Sequence, residues 1–416
     1  MSVIQVQGLR SLKGEIKIQG SKNAVLPIMA AAVLHKGTTV IHNVPRIQDV
    51  FCMLGILERI GCIYSLDGHT LTIDASDIKC AEIPEEYIKS MRSSIILSGP
   101  LLGRLGDAVT SFPGGCSIGQ RPIDLHLAAF RTLGAVIEEK DEKLCASAKT
   151  LVGADIYFPF PSVGATENAL MAAVYAKGIT VIHGAAKEPE ITSLCEFLNN
   201  MGAIIHGAGT SRLAVTGVTG LHDSEFIVAG DRIVAGTYLT AVMASEGNVL
   251  LDGIRPGHLT AALSLAERMG AELKLYKNQL EVSMRGRPDC VNVVTEPYPG
   301  FPTDLQSQVM AVMASGSGWG RVEETIFEGR FGAANELKKL GADIVIEGKR
   351  AIIHGLYPLK GNCVTAPDLR GGAALVVAGL AGEGVTEISE CHHIERGYED
   401  ICRDLSSLGA AIRGKE

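Results

Sequence analysis

Apolar positions along the chain spell one phrase six times over. Each copy has an apolar stretch of about a dozen residues, a glycine, a short alternating run, an amphipathic stretch, and an apolar-Gly-Ala or apolar-Gly-Cys step. The opening glycines are Gly37, Gly106, Gly178, Gly247, Gly320 and Gly384. The closing steps are Gly61-Cys62, Gly134-Ala135, Gly202-Ala203, Gly270-Ala271, Gly341-Ala342 and Gly409-Ala410. Opener and closer lie about 21 to 28 residues apart, the scale of a repeated supersecondary unit.

Within the first copy, RIQDVFCMLGILERIG places Val50, Met53, Leu54, Leu57 and Ile60 on one helical face. Ile63-Tyr64 and Leu71 to Ile73 then flank an Asp67-Gly68 turn as in a hairpin. Each unit thus predicts strands and two helices. The helix ahead of each opening glycine is of another kind. AVLPIMAAAVL, SSIILSGPLLG, ATENALMAAVYA, VAGTYLTAVMA, DLQSQVMAVMA and LRGGAALVVAGLA are apolar nearly all round, as in a helix buried within a core. Six such helices spaced about 8 to 10 Å apart cannot share one centre without a large void, whereas three can, with strands wrapped outside.

The predicted fold is therefore α/β, with two inside-out domains of three repeated βα units each, helices inside and sheets outside. The change of domain falls near Ile227-Val228-Ala229-Gly230, giving a first domain over 21–229 and a second over 230–416. Residues 1–20 alternate like strands with no helix ahead of them, and are expected to complete the second domain. A cleft between the halves is the default ligand site.

A chain of 416 residues that is 46% hydrophobic suits two cores better than one. Its net charge of −8 offers no general attraction to nucleic acid or an anionic membrane, so neither is an expected partner. An anionic ligand must then be held by a local basic cluster. The apolar runs stop well short of the roughly 20 residues that span a bilayer. The N-terminus lacks the basic-then-apolar layout of a secretory leader, and a cytoplasmic protein is expected. Ten cysteines without CxxC or metal-ligand spacing read as mostly reduced core thiols. His183, His354, His392 and His393 are scattered, and no metal site or cofactor is expected.

The candidate chemistry gathers where the buried helices begin. Ser21-Lys22-Asn23, Arg92-Ser93-Ser94, Ser162 to Thr166, Asp231-Arg232, Thr303-Asp304 and Asp368-Leu369-Arg370 introduce them. Helix N-termini favour phosphate and carboxylate groups, and Lys22, Arg92 and Arg370 would build an anion site there. Residues such as Ser162 and Asp231 serve equally well as ordinary N-caps. Between Phe112 and His126, Gly114, Gly115 and Gly119 surround Cys116 beside Arg121, with Pro122 set for a helix start. Such a setting describes an exposed thiol of lowered pKa, or a tight loop with an incidental cysteine.

Eight ordered segments carry a resemblance: Gly20-Ser-Lys-Asn23, the GGCSIGQRPIDLH loop, Ser162-Val-Gly-Ala-Thr166, Glu188-Pro-Glu190, Phe301-Pro-Thr-Asp304, Phe327-Glu-Gly-Arg330, Asp368-Leu-Arg370 and Glu395-Arg-Gly-Tyr398. Through them the whole chain resembles the UDP-N-acetylglucosamine 1-carboxyvinyltransferases, which catalyse the first committed step of bacterial peptidoglycan synthesis. The resemblance implies two inside-out domains and transfer of the enolpyruvyl group of phosphoenolpyruvate to the sugar 3-hydroxyl. It implies that Lys22, Arg121 and Arg396 hold the phosphate of phosphoenolpyruvate and Arg330 and Arg370 its carboxylate, with Asn23 also binding phosphoenolpyruvate beside the reacting sugar, and with Lys22 and Arg396 catalytic. For UDP-N-acetylglucosamine the implied contacts are Arg92, Arg121, Pro122, Ile123, Asp124, Leu125, Ser162, Val163, Gly164, Asp304 and Ile326. Asp304 is the implied base. Cys116 is the implied proton donor to the methylene carbon, a thiol that can add to phosphoenolpyruvate and is alkylated by fosfomycin in that family.

Departures from the family pattern are modest. Phe160 stands where some members carry a lysine near the nucleoside, Gln120 precedes the loop arginine, and Gly371-Gly372 follow Arg370 at variable small positions. The 3-phosphoshikimate enolpyruvyl transferases share the expected fold and chemistry, but the Cys116 loop followed by RPIDLH favours the amino-sugar enzymes. A non-catalytic nucleotide-sugar sensor, or a structural repeat protein, would not need Cys116, Asp304, Lys22 and Arg396 together.

Overall fold

The six apolar stretches form buried helices Lys22–Ala32, Ser98–Leu105, Val163–Ala173, Arg232–Ala244, Gln306–Ala314 and Leu369–Leu380 in the computed structural model, which describes residues 3–111 and 122–415. Having no polar face to present to water, they are buried along nearly their whole length. Every residue of Arg232–Ala244 and of Gln306–Ala314 is buried. The second stretch departs from a single α-helix: a 3-10 turn, Arg92–Leu97, precedes Ser98–Leu105. Pro100 has no N–H to give to the Ile96 carbonyl, so the α-helical ladder starts late.

The amphipathic stretches form helices Gln48–Ile60, Asp124–Thr132, Pro189–Asn200, Thr260–Arg268, Gly332–Lys339 and Ile401–Ser407. In the first, Val50, Met53, Leu54, Leu57 and Ile60 point inward while Glu58 and Arg59 face water. The chain leaves these helices through left-handed backbone. Gly61, Gly134, Gly202, Gly270, Gly341 and Gly409 have φ between 88° and 112°, a region that a β-carbon disfavours. The opening glycines are less uniform: in the fifth unit Gly318 turns left-handed, and Gly320 lies in strand Trp319–Glu323.

Each unit also contributes a sheet with one buried face. Strand Thr38–His42 turns Thr39 and Ile41 inward, and lies between Thr70–Asp74 and Ser224–Ile227. Ile63–Asp67 and Thr70–Asp74 make the hairpin read from the Asp67-Gly68 turn. In the sixth unit the central hairpin strand comes from the other end of the chain. Val3–Gln7 lies antiparallel to both Val385–Ser389 and Ala411–Lys415. Lys13–Lys17 then joins the fourth sheet, parallel to Asn248–Asp252.

The described residues fall into two compact units, one of 3–19 with 230–415 and the other of 20–111 with 122–229. Each has its own apolar core. Helices lie inside and sheets outside, the inside-out α/β arrangement expected from the six-fold pattern. Among the described residues no helix is long and apolar enough to cross a membrane.

Candidate active site

In the unit containing 230–415, helices Arg232–Ala244, Gln306–Ala314 and Leu369–Leu380 pack on one another. Their polar starts meet. Asp304 lies in the 3-10 turn Thr303–Leu305 that leads into Gln306–Ala314. Its Oδ1 accepts from Arg330 Nη2 at 2.7 Å and its Oδ2 from Arg370 Nη2 at 2.8 Å. The two arginine side chains are 3% and 6% exposed, and the Asp304 side chain 26%. Burial alone would weaken the hold of Arg370 on its proton, but Asp304, Tyr398 and Asp231 together outweigh it and push the pKa above that of an ordinary arginine. Arg370 is therefore a fixed cation. Its neighbour Tyr398 is buried and shares a 2.7 Å hydrogen bond with Thr237.

Asp368 caps the Arg370 helix by accepting from the Arg370 and Gly371 amides at 2.8 and 2.9 Å. The following glycines are sterically required. A β-carbon on Gly371 would lie 2.6 Å from Pro367 Cγ, and one on Gly372 2.7 Å from Ile394 Cγ1. Arg396, half-buried, closes the short helix His392–Glu395, and the next residue, Gly397, packs on Leu369 at the same helix start. Ile326 follows strand Trp319–Glu323, its amide bound to Glu324 Oε1 at 2.8 Å.

In the unit containing 20–229, Lys22 opens its helix and binds Asp49 Oδ2 at 2.6 Å, both side chains largely buried. Asn23 is half-buried beside it, and Pro27 has no N–H to give to the Asn23 carbonyl. Arg92 heads the 3-10 turn of the second stretch. Ser162 is a side-chain cap, its Oγ accepting from Ala165 N–H at 3.4 Å. The first-turn amides of Val163 and Gly164 have no acceptor within the helix, the arrangement that suits an anion. Pro122 and Asp124 are exposed at the start of Asp124–Thr132, with Ile123 and Leu125 half-buried. Phe160 is exposed two residues ahead of the Ser162 cap. Cys116 and Arg121 lie outside the described residues.

His126 joins these elements, and its tautomer is fixed by its neighbours. Gly99 N–H donates to Asn168 Oδ1 at 2.6 Å, so Asn168 Nδ2 is the donor to Ile95 O at 3.1 Å and to His126 Nδ1 at 2.8 Å. The imidazole therefore carries its proton on Nε2. Its Cε1 lies 3.1 Å from where a β-carbon on Gly164 would sit. Burial pushes His126 down to about 4, with Asp124 opposing and Arg92 adding to the shift. The unfolded chain takes up this proton near pH 6.5 and the folded one does not. The contribution to stability is thus present above 6.5 and is lost as pH falls toward 4. Nitrogen-15 NMR is expected to find His126 neutral and Nε2-protonated at pH 5, and His126→Gln to flatten the fall in thermal midpoint between pH 6.5 and 4. Protonation of His126 near pH 6.5 would contradict this.

Several site partners carry little signal in the sequence. Asp49, in the first turn of an amphipathic helix, looks like a response to the helix dipole; its place beside Val50 on the buried face is the available signal. The pairing of Arg330 and Arg370 with Asp304 joins segments distant in sequence and has no local signal. The nine described cysteines form no disulfide. Cys62, Cys195, Cys391 and Cys402 are buried, whereas Cys363 is exposed and departs from the core setting expected of most. His183, His354 and His392 each sit against a carboxylate, Asp155, Asp343 and Glu390. Among the described residues no three His, Cys, Asp or Glu side chains group as metal ligands.

Residues 6–405 match the EPSP synthase (3-phosphoshikimate 1-carboxyvinyltransferase) family. A UDP-N-acetylglucosamine 1-carboxyvinyltransferase 2 from Caldanaerobacter subterraneus subsp. tengcongensis is 47% identical, over 99% of both chains. The UDP-N-acetylglucosamine 1-carboxyvinyltransferase of Thermotoga maritima is 45% identical over 99% of this chain and 98% of its own. Among solved structures, the enolpyruvyl transferase NikO from Streptomyces tendae superposes with a TM-score of 0.88 at 25% identity, covering 99% of this chain and 98% of its own. EPSP synthase from Acinetobacter baumannii shares the fold, with a TM-score of 0.77 at 17% identity over both full chains. With a family match along nearly its whole length and relatives close to half identical, the chain belongs to the EPSP synthase family and, within it, to the UDP-N-acetylglucosamine 1-carboxyvinyltransferases.

Proposed function

We propose that the protein transfers the enolpyruvyl group of phosphoenolpyruvate to the 3-hydroxyl of UDP-N-acetylglucosamine and releases phosphate, in the cytoplasm, as the first committed step of peptidoglycan synthesis. The observation that carries this reading is the fork of Arg330 and Arg370, two buried guanidinium groups that already bind one carboxylate, that of Asp304, through one N–H each. A fork of this kind suits the carboxylate of phosphoenolpyruvate, which would compete with Asp304 for the same donors. Lys22, Arg121 and Arg396 take the phosphate, and Asn23 the reacting sugar. The diphosphate of the acceptor suits the first-turn amides at Val163 and Gly164, with Arg92, Arg121 to Leu125, Ser162 and Ile326 completing its seat.

The reaction then balances as addition and elimination. Cys116 gives a proton to the methylene carbon of phosphoenolpyruvate while Asp304 takes the proton of the 3-hydroxyl, whose oxygen bonds to the adjacent carbon. Return of a proton from the new methyl group to the Cys116 thiolate, with loss of phosphate from the tetrahedral adduct, leaves the enolpyruvyl ether. The cations around the phosphate stabilise the departing charge.

Phosphate release from phosphoenolpyruvate by the purified protein, with UDP-N-acetylglucosamine or shikimate-3-phosphate as acceptor, tests the reading. Release with the nucleotide-sugar alone is expected. Release with shikimate-3-phosphate alone overturns the substrate, and release with neither favours a sensor. Preincubation with fosfomycin is expected to abolish the activity through an adduct on Cys116. Burial pushes Cys62, Cys195 and Cys402 up to about 12, and Cys290 and Cys391 up to about 11, so these thiols do not compete. Unchanged activity after preincubation would remove the claim that fosfomycin inhibits through Cys116.

A further inference from the structure

Glu324 has no part in the roles above, yet both oxygens of its carboxyl group are engaged. It follows strand Trp319–Glu323 and is 2% exposed. Four donors converge on it. Oε1 accepts from the Thr295 hydroxyl at 2.9 Å and from the Ile326 and Phe327 amides at 2.8 and 3.1 Å. Oε2 accepts from the Thr303 hydroxyl at 2.9 Å. Thr295, fully buried, in turn accepts from the Thr325 amide at 2.9 Å, and the Thr325 hydroxyl donates to the Thr295 carbonyl.

One carboxyl group therefore joins two segments that are distant in sequence. Oε1 holds the turn that carries Ile326. Oε2 holds the 3-10 turn Thr303–Leu305 that carries Asp304. Burying a carboxyl group is costly unless its oxygens are satisfied, and here both are. A cap on either turn alone would need only one such oxygen. A side chain with each oxygen assigned to a different turn instead sets the distance between them.

We propose that Glu324 is a positioning residue for the transfer reaction. It holds the Asp304 turn against the Ile326 turn, and so sets the base at a fixed distance from the seat of the nucleotide-sugar. This rests on the roles given to Asp304 and Ile326 in the proposed function. The two oxygens act on different steps: Oε2 reaches Asp304 through Thr303 and governs turnover, while Oε1 orders the Ile326 backbone and governs nucleotide-sugar binding.

Steady-state kinetics of four variants, with thermal midpoints measured alongside, test the proposal. Thr303→Val keeps the side-chain shape and removes only the hydroxyl. It is expected to lower kcat about tenfold with both KM values within about twofold, since a displaced reacting group loses rate steeply. Glu324→Ala is expected to lower kcat by a similar factor and also to raise the KM for UDP-N-acetylglucosamine about tenfold, leaving that for phosphoenolpyruvate within about twofold. Thr303→Ser keeps the hydroxyl. Glu324→Gln keeps an oxygen for the two amides and an NH2 that can donate to the Thr303 oxygen. Both are expected to stay within about threefold of wild type.

Wild-type kcat in Thr303→Val overturns the proposal. So does a loss of kcat and of both substrate affinities that simply follows thermal midpoint across the four variants, which would mark the network as structural only. Should Glu324→Ala fail to fold, the Thr303→Val and Thr303→Ser pair still decides. An inactive wild-type protein would instead sink the proposed function, and this inference with it.

Discussion

Asp304→Asn is expected to cut phosphate release by at least about a thousandfold, within the range that a positioned general base supplies. The proton of the sugar hydroxyl then has no carboxylate to receive it. The substitution also disturbs the arginine fork. A carboxamide offers one oxygen and one NH2 where both Asp304 oxygens now accept, from Arg330 at 2.7 Å and Arg370 at 2.8 Å. One buried guanidinium would face a donor, so the variant is also expected to melt earlier. Calorimetric titration separates the two effects: UDP-N-acetylglucosamine should still bind within about tenfold of wild type while turnover collapses. A variant that turns over at the wild-type rate would remove Asp304 as the base.

Arg370→Met is expected to lower kcat/KM for phosphoenolpyruvate by about a hundredfold, equivalent to about 3 kcal/mol for one partner lost from a buried, hydrogen-bonded charge pair. Asp304, Tyr398 and Asp231 together keep Arg370 charged despite its burial, so the loss should be independent of pH across the neutral range. Methionine fills similar volume, and Arg330 still pairs with Asp304, so the thermal midpoint should move far less than the kinetics. Arg370→Lys should recover only part of the loss, because an ammonium group cannot reproduce the planar fork. Steady-state kinetics with varied phosphoenolpyruvate would read this directly. An unchanged kcat/KM would mean that the substrate carboxylate is held elsewhere.

The architecture was legible because it repeats. A helix apolar on all sides must be buried, and six of them with six glycine-ended amphipathic partners leave few arrangements. Left-handed backbone at Gly61, Gly134, Gly202, Gly270, Gly341 and Gly409 is the physical reason for the closing steps. Less legible was anything set by strand exchange or proline. That Val3–Gln7 supplies the missing hairpin strand of the sixth sheet depends on register between the chain ends, and the 3-10 entry into Ser98–Leu105 depends on one absent N–H at Pro100.

At the site, charged residues opening apolar helices were a strong signal. Lys22, Arg92 and Arg370 are hard to explain as core residues. Several buried polar groups that brace the site were not visible. Asp49, Asn168 and Glu324 are buried polar residues, each bound at least in part by groups far away in sequence, and periodicity alone cannot separate them from packing positions. Gly371 and Gly372 looked like tolerant small positions, whereas Pro367 and Ile394 leave no room for a side chain.

The most direct test of the account follows the carbon that changes partners. Phosphoenolpyruvate labelled with carbon-13 at C2 is incubated with UDP-N-acetylglucosamine and the protein, and the product is observed by NMR. One enolpyruvyl ether at the sugar 3-oxygen, formed in equal amount to the phosphate released, is expected. Phosphate released without that ether, or an ether at another hydroxyl, would contradict it.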